Sequence, residues 1–487
     1  MTYEYYLTDI HTGQIGSRIN FGNVSWSKTV GDSSLTTKPD KQVGKDEVSQ
    51  VDVKWSEIPG DTPRRKYEAI EPDRKGIVMM DVTDEDRQRG LIGQPLIWGG
   101  IANHTPDTRD GTTIQLDSIY SILGSRYLVR EDAEFSTGDG ITTKYNLNTA
   151  NKDTLILVPE IGPVLASEII AYRKKIGKFT SIAQLKKVSG IGDSNYKVMA
   201  PYFSLNSVGF SNYRSKSIIG YSGMSMRGIA SEVGKRLTSD KPGGSLPVDW
   251  TYLGEKHKRQ GTESTTTHSR SYRAWNVQNL SGQDVFDKLR GVIDGVDCQW
   301  RPYLTASGDY VRNRFIAGTD EEKHLPFTGR PITFTSFNGG GNLDKVSIDN
   351  AQAISRWYGT GAGQDAETLT YMAQDLSMVN GTGHYMLREQ AYSDTDDDKL
   401  RLLKGDVDGK LDTWRRPIMQ VSGRFNINDP TLPRLSLINP GEPCYIDLYD
   451  WPDLPDGHYR SYIEELSGDG SDMVQVKFAV QTIPYFQ

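Results

Sequence analysis

Cysteine is almost absent: 487 residues contain only Cys298 and Cys444, which lie 146 positions apart. That excludes a disulfide scaffold and a cysteine metal cluster, and two buried free thiols are expected in preference to a bridge. Long apolar runs are absent too. No stretch approaches the roughly 18 uncharged residues of a membrane helix, so no membrane-spanning segment is expected. The start, Met1-Thr2-Tyr3-Glu4-Tyr5-Tyr6, has no basic stretch followed by an apolar core, so no secretory signal is expected. The chain is expected to stay in the cytoplasm where it is made, or to be packaged into a particle there. Seven histidines are scattered without His-x-x-x-His spacing, so no metal site and no cofactor are expected. Apolar residues make up only 36% and the mean hydropathy is −0.55, little for a compact helical enzyme. What is plentiful is glycine (49) and tyrosine (25), a composition that suits β-structure with many turns. At about 100–200 residues per domain, three or four domains are expected.

Alternation of apolar and polar residues marks strands along most of the chain. Tyr3, Tyr5 and Leu7, the turn His11-Thr12-Gly13, and then Ile15, Ile19, Phe21, Val24 and Trp26 predict a β-meander over the first 35 residues. Residues 31–66 are polar and predict a long loop or arm. Strands are predicted at Gly76–Met80 and Thr113–Asp117, and a hairpin at Pro95–Ile101, where Gly99-Gly100 end an apolar run. Further on, a helix is predicted at Ser225–Leu237, and another at Asp284–Ile293 with Ser281 as cap, Leu280 stapled to Val285, and Val285, Leu289 and Val292 on one face. A third is predicted at Thr368–Val379. Strands return at Ile332–Phe334, Val346–Ile348, Cys444–Leu448 and Met473–Phe478, with a turn at Asp456-Gly457-His458. Leu205–Lys216 and Thr238–Tyr272, which includes Thr262–Thr267, are polar and linker-like.

Residues 144–203 differ from everything around them. Lys144, Lys152, Arg173, Lys174, Lys175, Lys178, Lys186, Lys187 and Lys197 outweigh Asp153, Glu160, Glu168 and Asp193, which gives +5. The whole chain is −7, so the remainder is −12. The asymmetry predicts an inserted module with its own electrostatic task. Asn146–Ala150 opens it. Val158-Pro159-Glu160-Ile161-Gly162-Pro163 precedes a helix from Val164 to Lys174. Gly177-Lys178-Phe179, Ile182–Leu185, Val188-Ser189-Gly190-Ile191-Gly192 and Ala200–Phe203 follow. These segments closely resemble the tandem helix-hairpin-helix domain of bacterial competence DNA-uptake receptors. The resemblance implies a small all-α fold whose hairpin amides meet the phosphates of double-stranded DNA without regard to sequence. The residues that would do so are Ile161, Gly162, Gly190, Ile191 and Gly192 at the hairpins, with Lys174, Lys175, Lys178, Lys186 and Lys187 around them. Glu160 stands where that family prefers glycine, and its carboxylate opposes phosphate. Two readings stay open for the module: duplex binding, and reuse as a protein contact.

The flanks carry a second resemblance. The order runs from the early β-structure and Pro95–Ile101 through Gln115–Leu123, the helix Asp284–Ile293 and Cys298–Pro302. It continues through Trp357–Gly363 and Pro440–Asp447 to Gly457–Arg460. It is similar to that of minor tail proteins of long-tailed actinobacterial phages, which resemble the baseplate hub at the distal end of the tail tube. The fold class expected is multidomain and mainly β with α+β parts. Two tube-like β-barrel hub domains would accompany the small all-α insert. The domains expected are a hub barrel at 1–143, the insert at 144–205, an α+β middle domain at 206–330 and a second barrel-like domain at 331–487. The resemblance implies a structural, non-enzymatic virion protein of the distal tail tip, synthesised in the host cytoplasm. It would form a homotrimer that closes the tube and opens for DNA ejection. Its implied partners are the distal tail protein ring, the C-terminus of the tape measure protein, other minor tail or fibre proteins, and double-stranded DNA. The acidic flanks agree, since a negative lumen repels a passing genome.

Other signals are weaker. Gly359-Thr360-Gly361-Ala362-Gly363 lacks the Lys-Ser/Thr pair of a nucleotide loop and predicts a turn between strands. Asp394–Asp398 resembles a calcium loop, but Lys399 and Gly405 occupy the positions that need Gly and Glu, so a solvated acidic loop is expected. A tail-associated cell-wall hydrolase is a further alternative. Its paired carboxylates would be assembled only by the fold, and nothing in the sequence singles them out.

Overall fold

In the computed structural model the described residues are 2–30, 32–38, 42–43, 47–48, 53–129, 145–205, 218–256, 268–273, 276–291, 295–322, 324–326, 331–381, 384–395, 397–452 and 454–484. Of the expected linker Leu205–Lys216 only Leu205 is among them, and the run Thr262–Thr267 and the boundary positions 143, 144, 206 and 330 lie outside. The chain divides into two compact units. One comprises Met1–Tyr127, Tyr221–Arg270 and Ser281–Gln487, and the other Leu128–Gly220 and Ser271–Leu280.

The first unit is mostly β. Its central strands, Lys75–Val82 and Gln94–His104, are buried on both faces and therefore read as unbroken apolar runs. Lys75–Val82 pairs antiparallel with Thr2–Asp9 on one side and with Gln94–His104 on the other. The expected meander is thus corrected. Ile15–Ile19 pairs with Thr2–Asp9, whereas Asn23–Thr29 pairs with Asp32–Lys38 and with the distant strand Gly457–Gly468. The hairpin expected at Pro95–Ile101 is corrected as well, because Gly99 and Gly100 lie inside one long strand. A Cβ on Gly99 would stand 3.0 Å from the Leu116 Cβ, and one on Gly100 2.9 Å from the Ile10 Cδ1. These glycines permit close packing and make no turn.

The sequence treats 1–140 and 330–487 as separate β regions. The pairing of Asn23–Thr29 with Gly457–Gly468 joins them in one 15-stranded sheet. Among the described strands this sheet does not close on itself. One core runs across the junction, from Trp26 and Ile77 to Phe334, Phe425 and Phe478. Buried polar groups also cross it. The Lys28 Nζ donates to the Asn439 Oδ1 at 2.8 Å; close by, Arg301 from the middle of the chain adds a contact to the second region, its Nη1 2.5 Å from the Glu442 Oε1. The Arg434 Nε lies 3.0 Å from the Asp81 Oδ2.

The middle of the first unit is α+β. Met226–Leu237 is capped by Ser225, and Gly282–Arg290 by Ser281, whose Oγ accepts the Asp284 amide at 3.1 Å as the sequence predicts. That helix is shorter than expected: it ends at Arg290, and Val292 lies outside the described residues. Trp250, Phe286, Trp300 and Phe315 form an aromatic cluster with ring centroids 5.2–6.3 Å apart. The helix expected at Thr368–Val379 is corrected to a strand, Thr370–Gln374, and one short turn of helix, Ser377–Asn380. The true helix there is Leu400–Trp414. Its Leu403 and Val407 cover Trp357 and Ala373 of the small sheet Arg356–Thr360, Thr370–Gln374 and Glu389–Ser393. Cys298 and Cys444 are free and buried.

The second unit contains the helical module. It runs from Tyr145–Asn146 to Phe203–Ser204, two short strands that pair in parallel. Its core of Leu147, Leu155, Ile169, Leu185, Met199 and Phe203 is fully buried.

Candidate nucleic-acid interface

Two turns of identical build define the module. In the first, the helix Lys152–Ile156 ends, Ile161 N–H donates to the Val158 carbonyl at 3.1 Å, and the helix Pro163–Ile176 begins. In the second, Ile182–Lys187 ends, Ile191 N–H donates to the Val188 carbonyl at 3.2 Å, and Asp193–Met199 begins. Gly162 and Gly192 hold φ/ψ of −86/174 and −85/174. Each turn needs one left-handed residue: Glu160 at φ 66 in the first and Gly190 at φ 89 in the second. Glycine adopts that region freely, whereas a side chain with a Cβ is strained there.

Neither following helix has a side-chain cap, so its first amides are left to solvent or to a ligand. Pro163 removes one such donor from the first turn. Gly162, Gly190 and Gly192 are exposed, while Ile161 and Ile191 are buried and act as pegs that hold the turns down. The two turns share one end of the module, since a Cβ on Gly190 would stand 3.4 Å from the Leu165 Cδ1, in the first turn of the long helix.

The lysines named from sequence separate into two groups. Lys186 and Lys187 immediately precede the second turn. Lys174, Lys175 and Lys178 lie at or just beyond the far end of Pro163–Ile176, about 18 Å along its axis from Gly162. The structure does not bring them together with the turns. Lys186 is already engaged: its Nζ lies 2.7 Å from the Asp193 Oδ1 and 4.8 Å from the Tyr196 ring centroid. The hydrogen bond and the charge of Asp193 raise the Lys186 pKa, and Lys186 lowers that of Asp193. The acid next to the second turn is thereby neutralised locally.

Three contributors escaped the sequence reading. Arg173 is a structural cation, donating from Nη1 to the carbonyls of Leu147 (3.0 Å) and Ala150 (2.8 Å). Asn148 clamps Phe179 by accepting its amide at 2.7 Å and donating to its carbonyl at 3.0 Å. Ile156, Leu157 and Val164 are exposed apolar side chains beside the first turn. The first two depend on tertiary contacts. The third is visible in sequence once the two halves are aligned. Elsewhere, no group of three or more His, Cys, Asp or Glu among the described residues could hold a metal ion. No helix among them is long and apolar enough to cross a membrane.

Residues 142–204 match the family model of the helix-hairpin-helix motif. ComE operon protein 1 of Bacillus subtilis is 42% identical over 52 residues, which are 11% of this chain and 25% of that protein. The chain thus spans a quarter of the length of this relative. Over nearly the whole chain, the solved structures it resembles include tail proteins. The 43 kDa tail protein of prophage MuSo2 from Shewanella oneidensis aligns at TM-score 0.42 and 10% identity, covering 98% of each chain. The tail protein from Neisseria meningitidis MC58 aligns at 0.41 and 9%, covering 97% of this chain and 96% of that one.

Proposed function

We propose that this chain is a structural protein of a phage-type tail whose helix-hairpin-helix module contacts double-stranded DNA. The observation that carries the DNA half is the pair of matched turns at one end of the module. Both present exposed glycine backbone and uncapped amides, and Lys187 stands beside the second. Such a surface suits phosphate oxygens and offers nothing that could read a base edge, so the binding is sequence-independent. Salt dependence tests it. Titration of the full chain onto a short duplex is expected to give log K falling with log salt by about 0.9 per phosphate contact. No binding at low salt overturns it.

The tail half is supported by the order of sequence features along 1–140 and 206–487, and by the pairing of Asn23–Thr29 with Gly457–Gly468, which joins the two β regions into one frame. The finer reading is a homotrimeric hub at the distal tail tip, its β-rich domains forming a ring that mimics the tube. It would meet the distal tail protein ring, the tape measure C-terminus and other minor tail or fibre proteins, and would open for DNA ejection. The native mass of the purified chain is expected to be that of three copies, and labelled antibody is expected to mark one end of intact tails. A monomer absent from particles overturns this half and leaves the DNA half standing.

A further inference from the structure

The two halves of the module repeat with an offset of 30 residues, from Gly162 to Gly192. Their buried positions agree. Leu155 matches Leu185, Val158 matches Val188, Ile161 matches Ile191 and Ile169 matches Met199, and none is more than 7% exposed. Packing thus constrains both halves alike. Their exposed positions disagree, and apart from Asp193, which stands where the first half has Pro163 and is paired with Lys186, the differences at the turn run in one direction. Where the second half carries Lys186 and Lys187, the first carries Ile156 and Leu157. Gly190 is replaced by Glu160, and Ser194 by Val164, which is 78% exposed.

These substitutions are not needed for folding, because the positions face solvent and the backbone turns coincide. Each makes the first half a poorer neighbour for a phosphate. Apolar side chains offer no hydrogen bond in exchange for the water a phosphate must shed. The Glu160 carboxylate repels it outright. Pro163 subtracts a donor at the same turn.

We infer that duplex contact is confined to the second half, through Lys187 and the backbone around Gly190 and Gly192. Glu160 and the face formed by Ile156, Leu157 and Val164 hold the first turn off the nucleic-acid backbone. This rests on the DNA reading proposed above and names the residues that set how strongly the module grips. A one-sided grip has fewer phosphate contacts, so it is weaker and more readily released by salt than a two-sided one.

The test is a set of matched charge changes in the full chain, with affinity for a short duplex measured across a salt series by fluorescence anisotropy. Lys187→Glu is expected to weaken binding about tenfold or more and to reduce the salt slope by about 1. Val164→Glu, an acid at another exposed position of the same end, is expected to leave affinity within about twofold. The triple change Ile156→Lys, Leu157→Lys and Glu160→Gly, which rebuilds the first half in the image of the second, is expected to steepen the slope by about 2. Glu160→Gly alone serves if the triple variant does not fold, with a smaller rise in affinity expected. Equal losses for Val164→Glu and Lys187→Glu, or an unchanged slope in the rebuilt variants, overturn the inference while leaving duplex binding intact. Flat titrations for every variant overturn the DNA reading itself and this inference with it.

Discussion

Lys28 and Asn439, 411 residues apart in sequence, meet through a 2.8 Å hydrogen bond in the interior of the sheet that joins the two ends of the chain. The ammonium is fully buried, and burial, reinforced by the nearby Arg301 charge, pulls its pKa down from 10.5 to about 7. The carboxylate of Glu442 pulls the other way but is already paired with Arg301. Two cations thus share one carboxylate.

The first prediction is a pH dependence with a definite sign. Between about pH 7 and 10.5 the unfolded chain holds the Lys28 proton and the folded chain does not. This lysine's contribution to stability therefore rises with pH across that window, by at most about 1.4 kcal/mol per unit, and the penalty of burying the charge is fully present below it. Lys28→Met is expected to remove the dependence and to be most stabilising near pH 6. The measurement is the difference in urea midpoint between the two chains at several pH values. A difference that does not change with pH refutes it.

Glu442→Gln should destabilise the frame by about 3 kcal/mol, because it leaves the buried Arg301 charge without its partner and, below about pH 7, the Lys28 charge as well. Combining it with Lys28→Met should restore part of the loss, and a double-mutant cycle measures the coupling. Strict additivity of the two changes would show that the three groups act independently.

Glu160 occupies a left-handed position that its neighbour in the repeat gives to glycine. Glu160→Gly is expected to stabilise the module by about 1 kcal/mol, and Gly190→Ala to cost about as much. Hydrogen exchange of the amides between Leu155 and Met199 in the full chain reads both. Faster exchange after Glu160→Gly contradicts the strain argument.

Both thiols should be inert in the folded protein. Burial pushes the Cys298 thiol up to about 12 and raises that of Cys444 as well. The reactive thiolate is therefore scarce at neutral pH. Alkylation followed by mass spectrometry is expected to label neither residue until denaturant is added.

The parts of this molecule that the sequence discloses are those whose signal is local. The module announces itself because its pegs and turn glycines recur at a fixed spacing, and Ser281 announces a helix because a cap acts three residues away. Leu400–Trp414 stays hidden, although Leu403, Val407, Leu411 and Trp414 fall on one face. It starts at Lys399 with no side-chain cap, follows an acidic run, and contains Gly405 and Gly409. Gly99-Gly100 mislead because a glycine that admits a neighbour's side chain looks, in sequence, like one that makes a turn. The union of Asn23–Thr29 with Gly457–Gly468 has no local signature at all. The placement of Lys174 and Lys175 away from the hairpins follows only from the length of their helix.

The parallel pairing of Tyr145–Asn146 with Phe203–Ser204 places the points where the chain enters and leaves the module side by side. Everything between them is therefore a cassette on a two-stranded stub. The two anchor points stay neighbours whether the cassette is kept, trimmed to a short glycine bridge, or exchanged for another small fold whose termini also meet.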